Sequence, residues 1–243
     1  MDYLGRIEEG LAALRKRIEG AASRVGRDPA SVELLAVSKF HPIEVVQAAW
    51  EAGLRHFGES RVQEAEAKYA LFAQAHPDLR LDMLGHLQGN KVARALGFFT
   101  GIASIDSVAL LESVIKRAGE GGLRGKVRLD LLLEFHTAED SKSGFASRES
   151  LMEACALLAE AERAQPPTIR MRGLMTMAPL TKEEAAIRAS FRRLRLLGEE
   201  IRGEFGFADF DTLSMGMSSD FELAIEEGAT LIRIGTALFG ELP

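Results

Sequence analysis

Short, nearly unbroken apolar runs alternate along this chain with longer segments whose apolar residues recur every three or four positions. The runs have the pattern of strands covered on both faces, and the segments that of helices with one buried side. The first segment, residues 2–24, carries Leu4, Ile7, Leu11, Leu14 and Ile18 at helical spacing and is stopped by Gly26 and Pro29. It precedes every strand, so it reads as an extra helix covering one end of the core. Strands are predicted over 32–37, 56–58, 81–84, 102–105, 126–135, 169–175, 212–213 and 231–234. Helices are predicted between them over 42–52, 59–73, 90–96, 147–164, 181–205 and 219–226, with one more running from an Asp106-Ser107 cap to about Ala118. Pro166-Pro167 ends the helix that Ser147 caps. Glu184, three residues after Thr181, gives the next one the form of a capping box.

Eight short strands alternating with helices predict an α/β protein, a single parallel (β/α)8 TIM-type barrel across 1–243 with residues 1–26 as its covering helix. The chain has 243 residues, close to the about 250 that such a barrel needs. A doubly wound sheet fits less well, because no Gly-x-Gly-x-x-Gly follows the first strand. The Gly-rich stretch 119–125 reads as a loop within the barrel, since the same alternation resumes after it.

In barrels of this kind chemistry collects at the carboxyl ends of the strands. Lys39 follows strand one, Glu59-Ser60 strand two, His86 strand three and Asp106-Ser107 strand four. Ser141-Lys142-Ser143-Gly144 follows strand five, and Met175-Thr176 ends strand six. Ser214-Met215-Gly216-Met217-Ser218 follows strand seven, and Arg233-Ile234-Gly235-Thr236 ends strand eight. Small residues before a helix leave backbone N–H groups free for a phosphate, and strands seven and eight are where such barrels bind one. A phosphate cradle, an arginine and a strand-end lysine point to pyridoxal 5'-phosphate (PLP). Plain structural readings stand beside these. Lys39 is also what a solvated strand end looks like, Arg233 a buried ion-pair partner and His86 a hydrogen-bonded structural histidine. Met215 and Met217 read as packing residues, and Lys142 as solvated.

Composition narrows the classes. Hydrophobic residues make up 47% and charged residues 27%, as in an ordinary globular protein. The net charge of −6 disfavours non-specific nucleic-acid binding. No uncharged apolar stretch nears the about 18 residues of a membrane span, and no signal-peptide run opens the chain, so a cytoplasmic protein without membrane contact is expected. Cys155 is the one cysteine, which excludes an intrachain disulfide; its helical neighbours Leu151, Ala154 and Leu158 mark it as core. The five histidines are scattered and form no metal constellation.

Several motifs together resemble one family. Ala36-Val37-Ser38-Lys39, Phe57-Gly58-Glu59, Val62-Gln63-Glu64, Gly85-His86-Leu87-Gln88, Asn90-Lys91 and Ser141-Lys142-Ser143-Gly144 fit it in order. So do Arg172-Gly173-Leu174-Met175-Thr176, the run 213–218 and Arg233-Ile234-Gly235-Thr236 through Phe239-Gly240. The chain resembles the YggS/PROSC family of PLP homeostasis proteins over about residues 34–240. The resemblance implies a PLP fold-type-III barrel like the N-terminal part of alanine racemase, with PLP held as an internal aldimine on Lys39. It places Ser214, Gly216, Met217, Gly235 and Thr236 around the phosphate and Arg233 at the pyridine nitrogen. Ser60, His86 and Met175, at three further strand ends, complete the candidate cofactor set. A monomer is expected on the same ground, with PLP-dependent apo-enzymes as possible recipients. Three positions depart from the family pattern: Ser60-Arg61 stands for Asn-Tyr, Phe135 for a frequent Asn, and Gly89 for a larger polar residue or Ser.

The implied role is a carrier that binds PLP reversibly, limits free aldehyde and delivers the cofactor, without robust catalysis. An arginine at the pyridine nitrogen disfavours the pyridinium and weakens the ring as an electron sink. Burial beside that arginine would favour the neutral, nucleophilic form of Lys39. A racemase needs a second acid/base group opposite the lysine, and Tyr3 and Tyr69 both read as helix residues away from the strand ends. Two alternatives remain open: a weak PLP-dependent amino-acid racemase using Lys39 with water or His86, and a Schiff-base aldolase acting on a sugar phosphate.

Overall fold

Each predicted run of apolar residues becomes a strand because both of its faces are covered, one by the barrel interior and one by a surrounding helix. The computed structural model describes residues 2–123, 126, 128–137, 144–163 and 167–240. Its strands are β1 (Glu33–Val37), β2 (His56–Glu59), β3 (Arg80–Met83), β4 (Gly101–Ile105), β5 (Leu129–Glu134), β6 (Ile169–Met175), β7 (Thr212–Ser214) and β8 (Leu231–Ile234). All neighbours pair in parallel and in chain order, and β8 closes on β1 through Glu33 opposite Leu231 and Ala36 opposite Ile234. The fold is a closed (β/α)8 barrel.

The helices are α1 (Tyr3–Arg24), α2 (Ile43–Glu51), α3 (Val62–Ala75), α4 (Val92–Phe98), α5 (Val108–Arg117), α6 (Arg148–Glu162), α7 (Glu184–Phe205), α8 (Phe221–Glu226) and α9 (Thr236–Phe239). Helix α1 turns Ile7, Leu11, Leu14 and Ile18 inward and packs beside α2, α8 and α9. Ser107 and Ser147 cap α5 and α6, their hydroxyls accepting from the Leu110 and Ser150 N–H groups at 3.4 and 3.2 Å.

Alternation along the strands sorts their residues into two layers. On β5, Leu129, Leu131 and Leu133 join the apolar layer under the helices. Leu132 turns the other way, into a small cluster with Ala103 and Met175 inside the barrel. On β8, Ile232 and Ile234 face the helices, so Arg233 between them faces inward.

Several boundaries differ from the sequence reading. Glu59 ends β2 rather than opening the next helix, because its carboxylate is buried against Ser38 and Lys68. Thr181 does not cap α7: its hydroxyl accepts from the Glu183 N–H at 3.1 Å, closing a turn before the helix begins at Glu184. A short 3-10 turn at Gly89–Lys91 precedes α4. The Gly-rich stretch after α5 begins as a π-helical turn, Ala118–Gly122, rather than an open loop. Lys126 and Arg128 lie outside β5, which starts at Leu129. Val127, Pro166, Ser141, Lys142 and Ser143 fall outside the described residues.

Candidate functional site

At the carboxyl mouth of the barrel lies a cavity of about 710 Å³, within the range that takes a small molecule. Lys39, Ser60, His86, Met175, Met217, Arg233, Gly235 and Thr236 all line it. These come from six different strand ends, so closure of the barrel, not sequence proximity, brings them together.

Arg233 is a buried cation at the site. It is 6% exposed, donating from Nη1 to Ser214 Oγ at 2.8 Å and from Nη2 to the Thr176 carbonyl at 2.9 Å. Burial lowers its pKa to about 10, against the opposing pull of Glu134 and Asp220. It remains cationic at neutral pH. Thr176 is itself fixed, its hydroxyl donating to the Phe135 carbonyl at 2.8 Å.

The two loops expected to hold a phosphate have distinct internal bonds. The Met217 N–H donates to Asp220 Oδ1 at 2.6 Å, and the Ala237 N–H donates to Ser218 Oγ at 3.1 Å. The Met217 N–H is therefore engaged, while its side chain stands exposed at the rim. Ser218 joins the loop after β7 to α9, and among the described residues its O–H donates to no other group. Ser214 and Gly216 do not line the cavity. Ser214 is fully buried behind Arg233, and the Gly216 carbonyl accepts from the Arg233 N–H at 3.0 Å.

Lys39 lies two residues past β1 with its side chain exposed. This corrects the expectation that burial would act on it. Its Nζ stands 5.8 Å from the centre of the Phe40 ring. His86 is also exposed at the mouth, and its Nδ1 and Asp106 Oδ2 share a hydrogen bond at 2.7 Å. That bond holds the ring, so His86 is both a structural partner and a cavity residue.

The departures from the family pattern sort by position. Ser60 lines the cavity. Arg61 turns outward and pairs with Glu64 at 2.6 Å. Phe135 is buried under the Arg193 guanidinium, 5.3 Å from its ring centre, outside the cavity lining. Tyr69 is fully buried; burial pushes its hydroxyl well above the usual range, and the nearby Glu59 charge adds to that. Among the described residues neither tyrosine lines the cavity.

Sequence reasoning missed Val37, Leu84, Gly85, Glu134, Met177 and Ser219 as lining residues. The signal for Glu134 was present: it follows Leu132 by two on β5 and so faces inward. Gly85 has a steric reason, since a Cβ there would lie 2.3 Å from the Ser60 carbonyl oxygen. Among the described residues no group of three metal-ligating side chains assembles, and no helix is long and apolar enough to cross a membrane.

A family model described as the N-terminal domain of alanine racemase matches residues 10–243. The pyridoxal phosphate homeostasis protein of Pseudomonas aeruginosa is 42% identical over 238 residues, covering 98% of this chain and 96% of that one. The pyridoxal phosphate homeostasis protein of Aquifex aeolicus is 38% identical over 233 residues, covering 96% and 97%. The structure of PipY from Synechococcus elongatus with PLP bound is 40% identical, with a TM-score of 0.81 over 96% of this chain and 100% of that one.

Proposed function

The chain belongs to the family of pyridoxal phosphate homeostasis proteins built on the alanine racemase N-terminal domain, and from that membership we propose that it binds PLP reversibly, buffering and delivering it as a single-domain barrel. The observation that carries this reading is one cavity that gathers a lysine amine, a buried guanidinium and two hydroxyl- and glycine-rich turns. That donor set fits a phosphorylated aromatic aldehyde: the amine meets the aldehyde, the guanidinium the ring, and the turns the phosphate.

PLP supplies an aldehyde that condenses reversibly with a neutral primary amine. On this reading Lys39 is the amine, and its exposure would leave it within reach of incoming amines. Ser218, Ser219, Gly235 and Thr236 hold the phosphate through hydroxyl and backbone N–H groups. Met217 contributes its side chain, since its N–H is taken by Asp220. Arg233, cationic and fixed by Ser214 and Thr176, opposes a second positive charge in the pocket. Ser214 and Gly216 act through Arg233. Robust catalysis is disfavoured on this reading, because the Arg233 cation would weaken a bound ring as an electron sink.

The test is the visible spectrum of the purified protein with PLP, before and after borohydride, with the modified peptide mapped. The expected result is an absorption band lost on reduction, with the label on Lys39 and no label in Lys39→Ala. A protein that PLP cannot titrate would instead favour a Schiff-base enzyme acting on a sugar phosphate.

One observation keeps the weak racemase as a second reading: His86, oriented by Asp106 at the mouth, is a candidate proton acceptor. Exchange of an amino acid's α-deuterium that is lost in both Lys39→Ala and His86→Gln would favour it.

A further inference from the structure

Behind Lys39 lies a buried polar assembly that the cavity does not include. Lys68, on the inner side of α3, donates from Nζ to the Ser38 carbonyl at 2.8 Å and to the His41 carbonyl at 2.9 Å. It also pairs with Glu59 Oε1 at 2.6 Å. Three partners match the three N–H groups of an ammonium. The side chain of Glu59 is 1% exposed and that of Lys68 12%. Ser38 Oγ donates to Glu59 Oε1 at 2.8 Å and lies 2.6 Å from the Tyr69 hydroxyl.

The two carbonyls held by Lys68 flank Lys39 and Phe40. The same four residues form a turn, closed by the His41 N–H donating to the Ser38 carbonyl at 3.0 Å. Phe40 occupies its third position with φ +67°, the only non-glycine residue at positive φ among the described residues. Turns with positive φ there normally carry glycine, because a Cβ clashes with the backbone. The Phe40 side chain is 55% exposed, so burial does not offset the strain. Such strain persists only where surrounding structure imposes it. The surrounding structure here is the ammonium that holds both ends of the turn.

We propose that Lys68, seated on Glu59, is a positioning residue for Lys39: it clamps the Ser38–His41 turn in the strained geometry that presents the Lys39 amine at the mouth of the barrel. This rests on the reading of Lys39 as the cofactor amine. Without the clamp the turn relaxes, Phe40 leaves the left-handed region, and Lys39 samples positions away from the cavity.

The test compares PLP titrations of wild type, Lys68→Met and the double variant Lys68→Met/Phe40→Gly. The readouts are borohydride-trapped label on Lys39, the position of the visible band, and the melting temperature of each cofactor-free protein. Lys68→Met is expected to need about tenfold more PLP for half-labelling, the weight of one strained residue in the turn equilibrium. Glycine adopts positive φ without strain, so the double variant is expected to return to within about twofold of wild type. Its melting temperature should stay as low as that of Lys68→Met, because the buried Glu59 remains unpaired.

Wild-type titration in Lys68→Met overturns the clamp. So does a double variant that stays as weak as Lys68→Met, since Lys68 would then act by its charge or on overall stability. Where Lys68→Met does not fold, Lys68→Gln keeps neutral donors in the same space. Its expected loss is about threefold, again reversed by Phe40→Gly, and wild-type behaviour overturns the proposal equally. Absence of any Lys39 label in wild type would instead remove the PLP reading itself, so the two failures are distinct.

Discussion

Ser214 and Arg233 form the joint between the last two strands of the barrel: the Ser214 hydroxyl, fully buried at the end of β7, accepts from Arg233 Nη1 at 2.8 Å. With the Thr176 carbonyl on the other arm, the guanidinium is fixed on two sides. Ser214→Ala removes one acceptor from a buried cation. A hydrogen bond to a charged group contributes about 2 kcal/mol, and that loss is expected in urea denaturation. PLP titration should weaken in the same variant, because the arginine loses its fixed orientation. A Ser214→Ala protein as stable as wild type would contradict the joint.

Gly216 is required where it stands. Its φ is +94°, and a Cβ there would lie 2.6 Å from Ala224 Cβ and 2.9 Å from Phe221 Cα. Both neighbours belong to α8, so the contact cannot be relieved by a side-chain rotation. Gly216→Ala combines backbone strain with overpacking and is expected to cost about 3 kcal/mol. The denaturation midpoint checks this, and a change under about 0.5 kcal/mol, the scale of a neutral surface substitution, would refute it.

The two preceding residues show what sequence could and could not supply. The strand ending at Ile234 is legible because its four residues are bounded by turn signals, and alternation then puts Arg233 inside. Lys39 is legible as the lysine just past the apolar run Leu34-Leu35-Ala36-Val37. That Ser214 and Gly216 stand behind the cavity wall is not, since it depends on how β7 meets β8. Lys68 was hidden for another reason. A charged residue inside a helical pattern reads as part of a solvated face, and only the packing of α3 against the ends of β1 and β2 seats it on Glu59. Glu134 was legible from the period of β5, and the leucines around it drew attention to the opposite face.

Cys155 sits on the inner side of α6 with no exposed surface. Burial pushes its thiol up to about 12, and the Glu204 charge adds to this. Thiol reagents need an accessible thiolate. Labelling of the native protein at pH 8 should therefore follow unfolding, accelerating with urea in step with loss of structure. Complete labelling of the folded protein within minutes would place Cys155 outside the core.

At the opposite end of the barrel from the cavity, His56 is buried between two carboxylates. Its Nδ1 lies 2.9 Å from Glu33 Oε1 and its Nε2 2.8 Å from Asp82 Oδ2. Burial alone would lower its pKa, but attraction to Asp82 and the bonds to Asp82 and Glu33 outweigh it and raise the value to about 9. Both ring nitrogens can donate only in the imidazolium form. The ordinary value is 6.5, so the folded state holds this proton more tightly than the unfolded chain. The resulting stabilisation is complete below about pH 6.5, falls as pH rises, and is gone above about pH 9, a difference of about 3 kcal/mol. Urea unfolding of wild type and His56→Gln at pH 6 and pH 10 measures it. Wild type should lose about 3 kcal/mol more than the variant across that interval. Equal losses in the two proteins would mean that His56 is neutral in the fold and that one of its two carboxylate contacts is not formed.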